Sequence, residues 1–268
     1  MDDYVLLCDK PAGVTSHDVV AEVRRRLGRR TRVGHAGTLD PFATGLLVLL
    51  VGRATRVQRF LMGLPKRYEA IARFGATSST GDPEGEITAT GRVPAGDLTL
   101  PVGRIRQRPP AHSAVHVSGR RAYQLARAGE AVELPEREIT VYRFQELWRR
   151  GDRRAFEIEC SSGTYVRSLI AALGDAYCEQ LRRTRIGHLD VADADPLRPV
   201  ELSHALSFLP AVRLDAERAR RVSHGQQVSV EPPPQGAPAV RLCDERGLVA
   251  IARPAGSPDR LAPIVVLR

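Results

Sequence analysis

The sequence predicts an α+β fold followed by a small β-rich module. Three observations point there. The apolar runs are short and strand-sized, the densest being Leu46 to Val51. Segments with helical spacing lie between them, with Val19, Val20, Val23 and Leu27 falling on one helix face. Beyond Pro210 the chain changes character: the stretch Glu231 to Pro238 holds four prolines, and short apolar runs surround it.

Taken in order, Tyr4 to Cys8 is an apolar run expected to form a buried strand, broken by Lys10-Pro11-Ala12-Gly13. Thr15 or Ser16 can cap the helix that follows, and Gly28 can end it. The Gly-rich stretch Gly34 to Gly45 reads as a loop before the strand Leu46 to Val51. Arg56 to Leu64 has helical spacing. Tyr68 to Phe74 alternates as a strand does, and Gly75 to Gly91 is a loop or an irregular hairpin. Ile139 to Trp148 and Ala155 to Cys160 form a predicted hairpin about Gly151-Asp152, with Phe156, Ile158 and Cys160 on one face. Ser168 to Leu173 starts another helix. A boundary is expected near Pro210, dividing 1–209 from 210–268. Asp215 then caps a short basic helix ending at Gly225, and Val240 to Leu242, Leu248 to Ala252 and Ile264 to Leu267 are short strands. A segment this short buries little core alone, yet small β-barrels of its size exist.

Composition narrows the function. No run approaches the roughly 18 apolar residues of a membrane span, and the N-terminal Asp2 and Asp3 do not suit a signal peptide. The expected location is the cytoplasm. Cys8, Cys160, Cys178 and Cys243 are far apart, form no zinc-type pair, and read as small buried thiols. The net charge is +9 and nearly all the positive charge is arginine, with Lys10 and Lys66 the two lysines. Arginines cluster at 24–26, 29–32, 149–154 and 182–185. Such a chain suits a polyanion, because neutralised phosphates release counterions; solvated helix faces in an arginine-rich chain are the plainer account. Neither lysine follows glycine, so there is no phosphate-binding P-loop, and no Gly-x-Gly-x-x-Gly fingerprint occurs.

The most unusual stretch is Gly34-His35-Ala36-Gly37-Thr38-Leu39-Asp40-Pro41-Phe42-Ala43-Thr44-Gly45. Its glycines let backbone approach a ligand and reach positive φ. Read alone, Asp40 is either a functional carboxylate or a residue capping an Asp-Pro turn.

This stretch, continued through Leu46-Leu47, resembles nearly residue for residue the catalytic motif of the TruB family of tRNA pseudouridine synthases. Three further stretches agree in order and spacing. Asp9-Lys10-Pro11-Ala12-Gly13-Val14-Thr15-Ser16 is similar to the family's Lys-Pro-x-Gly motif, Lys66-Arg67-Tyr68-Glu69-Ala70 to its Lys-x-Tyr-x-Ala strand, and Ser162-Gly163-Thr164-Tyr165-Val166-Arg167-Ser168-Leu169 to its third active-site motif. With the region from Ser113 to Gly129, the resemblance covers most of residues 4–209, and the tail resembles more weakly a PUA-type RNA-binding domain.

The resemblance implies the pseudouridine synthase fold, a mixed and largely antiparallel sheet with flanking helices, plus a small PUA-like β-barrel. It implies isomerisation of the T-loop uridine of tRNA, the site numbered 55, by Asp40 acting as nucleophile on a flipped-out base. The chemistry breaks an N-glycosidic bond and joins the ribose carbon to C5 of uracil, by direct attack or through a glycal. Substrate and product are isomers, so no cofactor and no metal are expected. By the same resemblance Arg167 pairs with Asp40, Tyr68 stacks on the uracil, Tyr165 lines the pocket, and His35 fills the gap left in the RNA. Leu181 matches an apolar pocket residue, although core packing accounts for it equally well. Lys10 supports the cleft. The expected partner is the tRNA T-arm, engaged by a monomer without an obligate protein partner and without a membrane.

The match departs from the family pattern in three places. The chain is shorter between Thr99 and Arg104 and between Gly174 and Leu181, and His116 stands where lysine is expected. Two other readings stay open. One is a tRNA-binding chaperone whose catalysis is dispensable. The other is a guide-RNA-dependent relative acting on ribosomal RNA, a form that usually carries longer extensions.

Overall fold

The apolar run at 46–51 forms the heart of a long strand, Thr44–Val51, buried along almost its whole length. In this computed structural model, which describes residues 3–110, 116–117, 120–121, 134–231 and 237–268, that strand lies inside a ten-stranded sheet. Most of the Ser113 to Gly129 stretch, the His116 side chain and the prolines at 232–234 lie outside the description.

Across the sheet the main path runs Asp195–Glu201, Tyr4–Lys10, Thr44–Val51, Ala176–Ile186, Lys66–Phe74, Arg153–Cys160, Arg137–Arg150, Gly103–Gln107. The pairings are antiparallel except where Arg182 and Arg183 run parallel to Thr44 and Gly45. This is the mixed, largely antiparallel sheet that the sequence led us to expect. The Tyr4–Lys10 and Thr44–Val51 strands are apolar at successive positions because both faces are covered. Leu46, Val48 and Leu50 enter one core with Val5 and Leu7, while Leu47 and Leu49 enter another with Leu6 and Cys8.

That second core is closed by the helix Ser16–Leu27, through Val20 and Val23. Thr15 is its N-cap, in a capping box with Asp18, and Gly28 ends it at φ +96°. The hairpin expected about Gly151-Asp152 is present, joining Arg137–Arg150 to Arg153–Cys160.

Three sequence expectations need correction. Gly34 and His35, read as the start of a loop, belong to a strand, Val33–His35, that pairs with Leu49, Leu50 and Val51, so the loop proper begins at Ala36. Its three residues are too few to show alternation. Arg56 to Leu64 is not one helix; a 3-10 turn, Gly52–Val57, precedes a short helix, Gln58–Met62. Cys243 is only half-buried, while Cys8, Cys160 and Cys178 are buried; all four are free thiols.

Nothing in the residue pattern signals the strand Ala176–Ile186, which joins the two halves of the sheet. Its parallel pairing is intimate. Gly45 sits at φ +102°, and a Cβ built there lies 2.2 Å from the Arg183 carbonyl oxygen. Gly45→Ala is therefore expected to cost about 3 kcal/mol or more, from left-handed backbone and a backbone clash together. In a thermal melt this is a drop of roughly 6–12 °C; a shift under about 2 °C contradicts the close pairing.

The C-terminal segment forms a five-stranded sheet in the order Ala211–Arg213, Val240–Asp244, Gly247–Ala255, Ser257–Val266, Val228–Ser229. A helix, Ala216–Ser223, covers it through Ala219 and Val222 and is capped by Asp215 as expected. This module does not stand apart. Ala239, Ile251, Val265 and Leu267 share a core with Leu46, Val48 and Leu50 of the large sheet. No helix among the described residues is long and apolar enough to cross a membrane.

Candidate active site

The loop from Ala36 to Ala43 is pinned at several points, which fixes where Asp40 lies. Ala36 N–H donates to the Val48 carbonyl at 2.8 Å, and Gly13 N–H donates to the Pro41 carbonyl at 2.9 Å. The Ser16 hydroxyl accepts from Leu39 N–H at 2.8 Å and donates to the Leu39 carbonyl at 3.1 Å. Lys10 is fully buried, and its ammonium donates to the carbonyls of Pro11, Val14 and Pro41 at 2.8, 2.7 and 3.2 Å. Burial pushes its pKa down, and the nearby Asp40 charge opposes this. Lys10 thus ties the first motif to the residue after Asp40 and does not line the cavity, which suits the supporting role expected of it.

Arg167 comes from the short helix Val166–Ala171, which follows the Arg153–Cys160 strand. Its guanidinium is buried and joins two carboxylates: Nε lies 2.9 Å from Asp40 Oδ2 and Nη1 lies 2.7 Å from Asp82 Oδ2. Nη1 also donates to the Thr80 carbonyl at 2.8 Å. Asp82 is itself 3% exposed and accepts from the Thr80 hydroxyl at 2.5 Å and from Glu84 N–H at 3.0 Å. Sequence reasoning missed Asp82. Its trace was a second Asp-Pro in a Gly-, Ser- and Thr-rich stretch, indistinguishable from ordinary turn chemistry.

Asp40 therefore sits between opposing influences. Burial raises its pKa and the Asp82 charge adds to this, while Arg167 acts to lower it; the net direction is upward. A carboxylate paired with one guanidinium, at the wall of a cavity, can act as nucleophile or base in its ionised form.

One cavity of about 250 Å³ collects Asp40, Tyr68, Tyr165, Arg167 and Leu181, together with Lys66 and Arg183. Leu181 also packs in the surrounding core, so the pocket and core accounts of it both hold. Tyr68 lies on the Lys66–Phe74 strand and is 8% exposed; burial pushes its phenol up to about 12, so the hydroxyl stays protonated. Lys66 is pushed down to about 8 by burial and by the Arg183 charge. Tyr165 is clamped by a residue the sequence did not signal. The Gln107 amide donates to the Tyr165 carbonyl at 2.9 Å and accepts from Tyr165 N–H at 2.8 Å. The Arg137 guanidinium covers the Tyr165 ring at 4.8 Å from its centroid. His35 is not part of this cavity; it ends the Val33–His35 strand at the entry to the loop, where its carbonyl accepts from the Gln58 amide at 2.7 Å.

The arginine clusters separate once partners are seen. Arg154 and Arg183 are buried, Arg149 and Arg153 pair with Glu146, Asp97 and Glu179, and Arg182 pairs with Asp9. Those clusters serve the fold. Arg29, Arg30 and Arg32, at the mouth of the strand leading to His35, are exposed and lack an ion-pair partner among the described residues. No group of three metal-ligating side chains occurs among the described residues.

Comparison with known proteins agrees with this geometry. Residues 24–166 match the model of the TruB family pseudouridylate synthase (N terminal domain), and residues 210–265 match that of pseudouridine synthase II TruB, C-terminal. The fold and site thus define a pseudouridine synthase, an isomerase. The chain is 47% identical over 259 residues to tRNA pseudouridine synthase B of Thermobifida fusca (strain YX), an alignment spanning 85% of this chain and 87% of that protein. It is 42% identical over 289 residues to tRNA pseudouridine synthase B of Mycobacterium tuberculosis (strain ATCC 25618 / H37Rv), spanning 98% and 95%. A solved structure of a Cbf5-Nop10-Gar1 complex superposes with a TM-score of 0.70 at 25% identity, covering 99% of this chain and 84% of that one. The chain belongs to the TruB family.

Proposed function

We propose that this protein converts the T-loop uridine of tRNA, position 55, to pseudouridine, with Asp40 as the nucleophile and the uridine flipped into the cavity beside it. The observation that carries the reading is the Asp40–Arg167 pair, 2.9 Å apart, at the wall of a cavity also lined by Tyr68, Tyr165 and Leu181. The naming of relatives as tRNA pseudouridine synthase B supports tRNA as the substrate.

The chemistry fits the groups present. An Asp40 oxygen attacks ribose C1′ as the C1′–N1 bond breaks, leaving the electron pair on uracil. The base turns, C5 bonds to C1′ and expels the carboxylate, and C5 then loses its proton to water while N1 gains one. In the alternative route the carboxylate removes the C2′ proton as the C1′–N1 bond breaks, giving a glycal and free uracil; C5 then bonds to C1′ as the proton returns from Asp40 to C2′. Either way Asp40 is regenerated and nothing is oxidised or reduced. The cavity, about 250 Å³, is below the ~300–1,000 Å³ of drug-sized ligand sites and suits a single extruded nucleoside. Tyr68 gives it a flat stacking partner, and His35 at the loop entry occupies the gap in the RNA.

In this reading residues 1–209 are the catalytic domain and 210–268 a PUA-like RNA-binding domain. Their shared core keeps the two in register on one RNA. The enzyme works as a cytoplasmic monomer without a cofactor. The test is incubation of the purified protein with an unmodified tRNA transcript and no guide RNA, followed by chemical mapping of pseudouridine. One new pseudouridine, at the T-loop uridine, is the expected result. Conversion at other uridines, or a requirement for guide RNA, contradicts the proposal. Binding of the transcript should also weaken linearly in log–log with salt, and the slope should fall by about one for each of Arg29, Arg30 and Arg32 replaced that touches a phosphate.

A further inference from the structure

Arg183 is 1% exposed, yet no carboxylate lies within ion-pair distance of it among the described residues. Its partners are carbonyls. Nε donates to Leu46 at 2.8 Å, Nη1 to Thr38 at 3.2 Å and Nη2 to Gly37 at 3.1 Å. A buried guanidinium without a carboxylate is expensive, because only carbonyl dipoles offset its desolvation. Stability alone therefore gives a poor account of this residue.

Its place in the sheet gives a better one. On the Ala176–Ile186 strand, Arg183 stands directly across from Tyr68 on one side and from Gly45 on the other. Residues directly opposite on neighbouring strands project to the same face. Three bonds to the catalytic loop and its following strand use three of the five N–H donors of the guanidinium. Tyr68 and Arg183 both line the cavity, and Asp40 lies two residues beyond Thr38.

We propose that Arg183 is a positioning residue for the isomerisation, fixing the Tyr68 hydroxyl relative to the loop that carries Asp40. On this proposal the remaining guanidinium N–H groups donate to the Tyr68 oxygen, in keeping with the register that sets the two residues side by side at one cavity and with the attraction between them. An oxygen that accepts from Arg183 keeps its own proton free to point at the base. The carbonyl bonds to Gly37 and Thr38 refer that direction to the loop, so the aromatic ring and the carboxylate are aligned by one rigid fork. Lysine, a point donor, cannot reproduce it.

This inference rests on the reading of the site given above, and a double-mutant cycle separates the two. Single-turnover rates and KM on tRNA transcript are measured for wild type, Arg183→Lys, Tyr68→Phe and the double variant, with Arg183→Met as a second replacement. Melting curves identify which replacement folds. Arg183→Lys or Arg183→Met should lower the turnover rate about 100-fold, the scale of a 1 Å misplacement, with KM within about threefold. In the Tyr68→Phe background the same change should cost about tenfold less, a coupling within the range for contacting residues. Equal fold-losses in both backgrounds, a loss confined to KM, or failure of both replacements to fold would each overturn the positioning role and leave the proposed function intact. A wild type that forms no pseudouridine overturns both.

Discussion

Asp40→Asn abolishes pseudouridine formation, lowering turnover by at least ~10⁴-fold, the scale seen when a nucleophile is removed, while tRNA affinity stays within about threefold. The amide keeps the shape of the carboxylate and lacks the negative oxygen that, in the proposed reaction, attacks C1′ or removes the C2′ proton. Affinity survives because the stacking rings and the exposed arginines are untouched. The stability consequence has a definite sign. Asp40 has a pKa raised in the folded state, chiefly by burial. Such a group contributes stability that is full below the ordinary aspartate value and is lost as pH rises through its folded pKa. Above its folded pKa the ionised carboxylate therefore disfavours folding, so in that range Asp40→Asn should melt at the same temperature as wild type or above it. A clear fall in melting temperature contradicts this account. The same shift predicts that activity declines on acidification at a pH above the ordinary aspartate range, because the protonated acid cannot attack.

Arg167→Met has the second large effect. It leaves Asp40 and the buried Asp82 facing each other without their shared cation. Removing one partner of a buried pair costs about 3–5 kcal/mol, since the remaining charge is uncompensated. Turnover should fall by about 10²–10³-fold, in line with loss of one fixed electrostatic group. Arg167→Lys keeps the charge but not the fork that reaches two carboxylates and the Thr80 carbonyl at once. Its pH–activity profile should lose the acid limb at a higher pH than wild type. The account also predicts a specific partial rescue: Asp82→Asn added to Arg167→Met recovers stability, because one of the orphaned charges is gone, without recovering turnover. If the double variant is no more stable than Arg167→Met, as judged by thermal melts, the two-carboxylate bridge is not what stabilises this corner.

Much of this site was legible because its chemistry sits in contiguous motifs. The loop carrying Asp40, the Tyr68 strand and the Tyr165–Arg167 turn each announce themselves by residue order, and the structure gathers all three at one cavity. What could not be read depends on distant partners. Asp82 lies in a stretch that has the composition of a solvated turn, and only the arrival of Arg167 makes it a buried anion. Gln107 comes from an edge strand whose neighbours Arg104 and Arg106 are exposed, so nothing local marks its amide as the clamp on Tyr165. The strand Ala176–Ile186 was hidden by its own function. Its core-facing positions include Arg183, and an arginine there breaks the apolar alternation that betrays a strand. The misleading signal was arginine density, since three of the four clusters turned out to hold ion-paired or buried arginines.

The isomerisation replaces the hydrogen on uracil C5 with the ribose carbon, so every turnover releases that hydrogen to water. Tritium placed at C5 of the T-loop uridine alone, in an otherwise unmodified tRNA, reports directly on whether a nucleotide meets Asp40. With enzyme in excess, wild type should release the label to completion and Asp40→Asn should release none above background while still retaining the tRNA on a filter. No release by wild type, or equal release by the two proteins, contradicts the claim that this carboxylate, held by Arg167, carries the reaction.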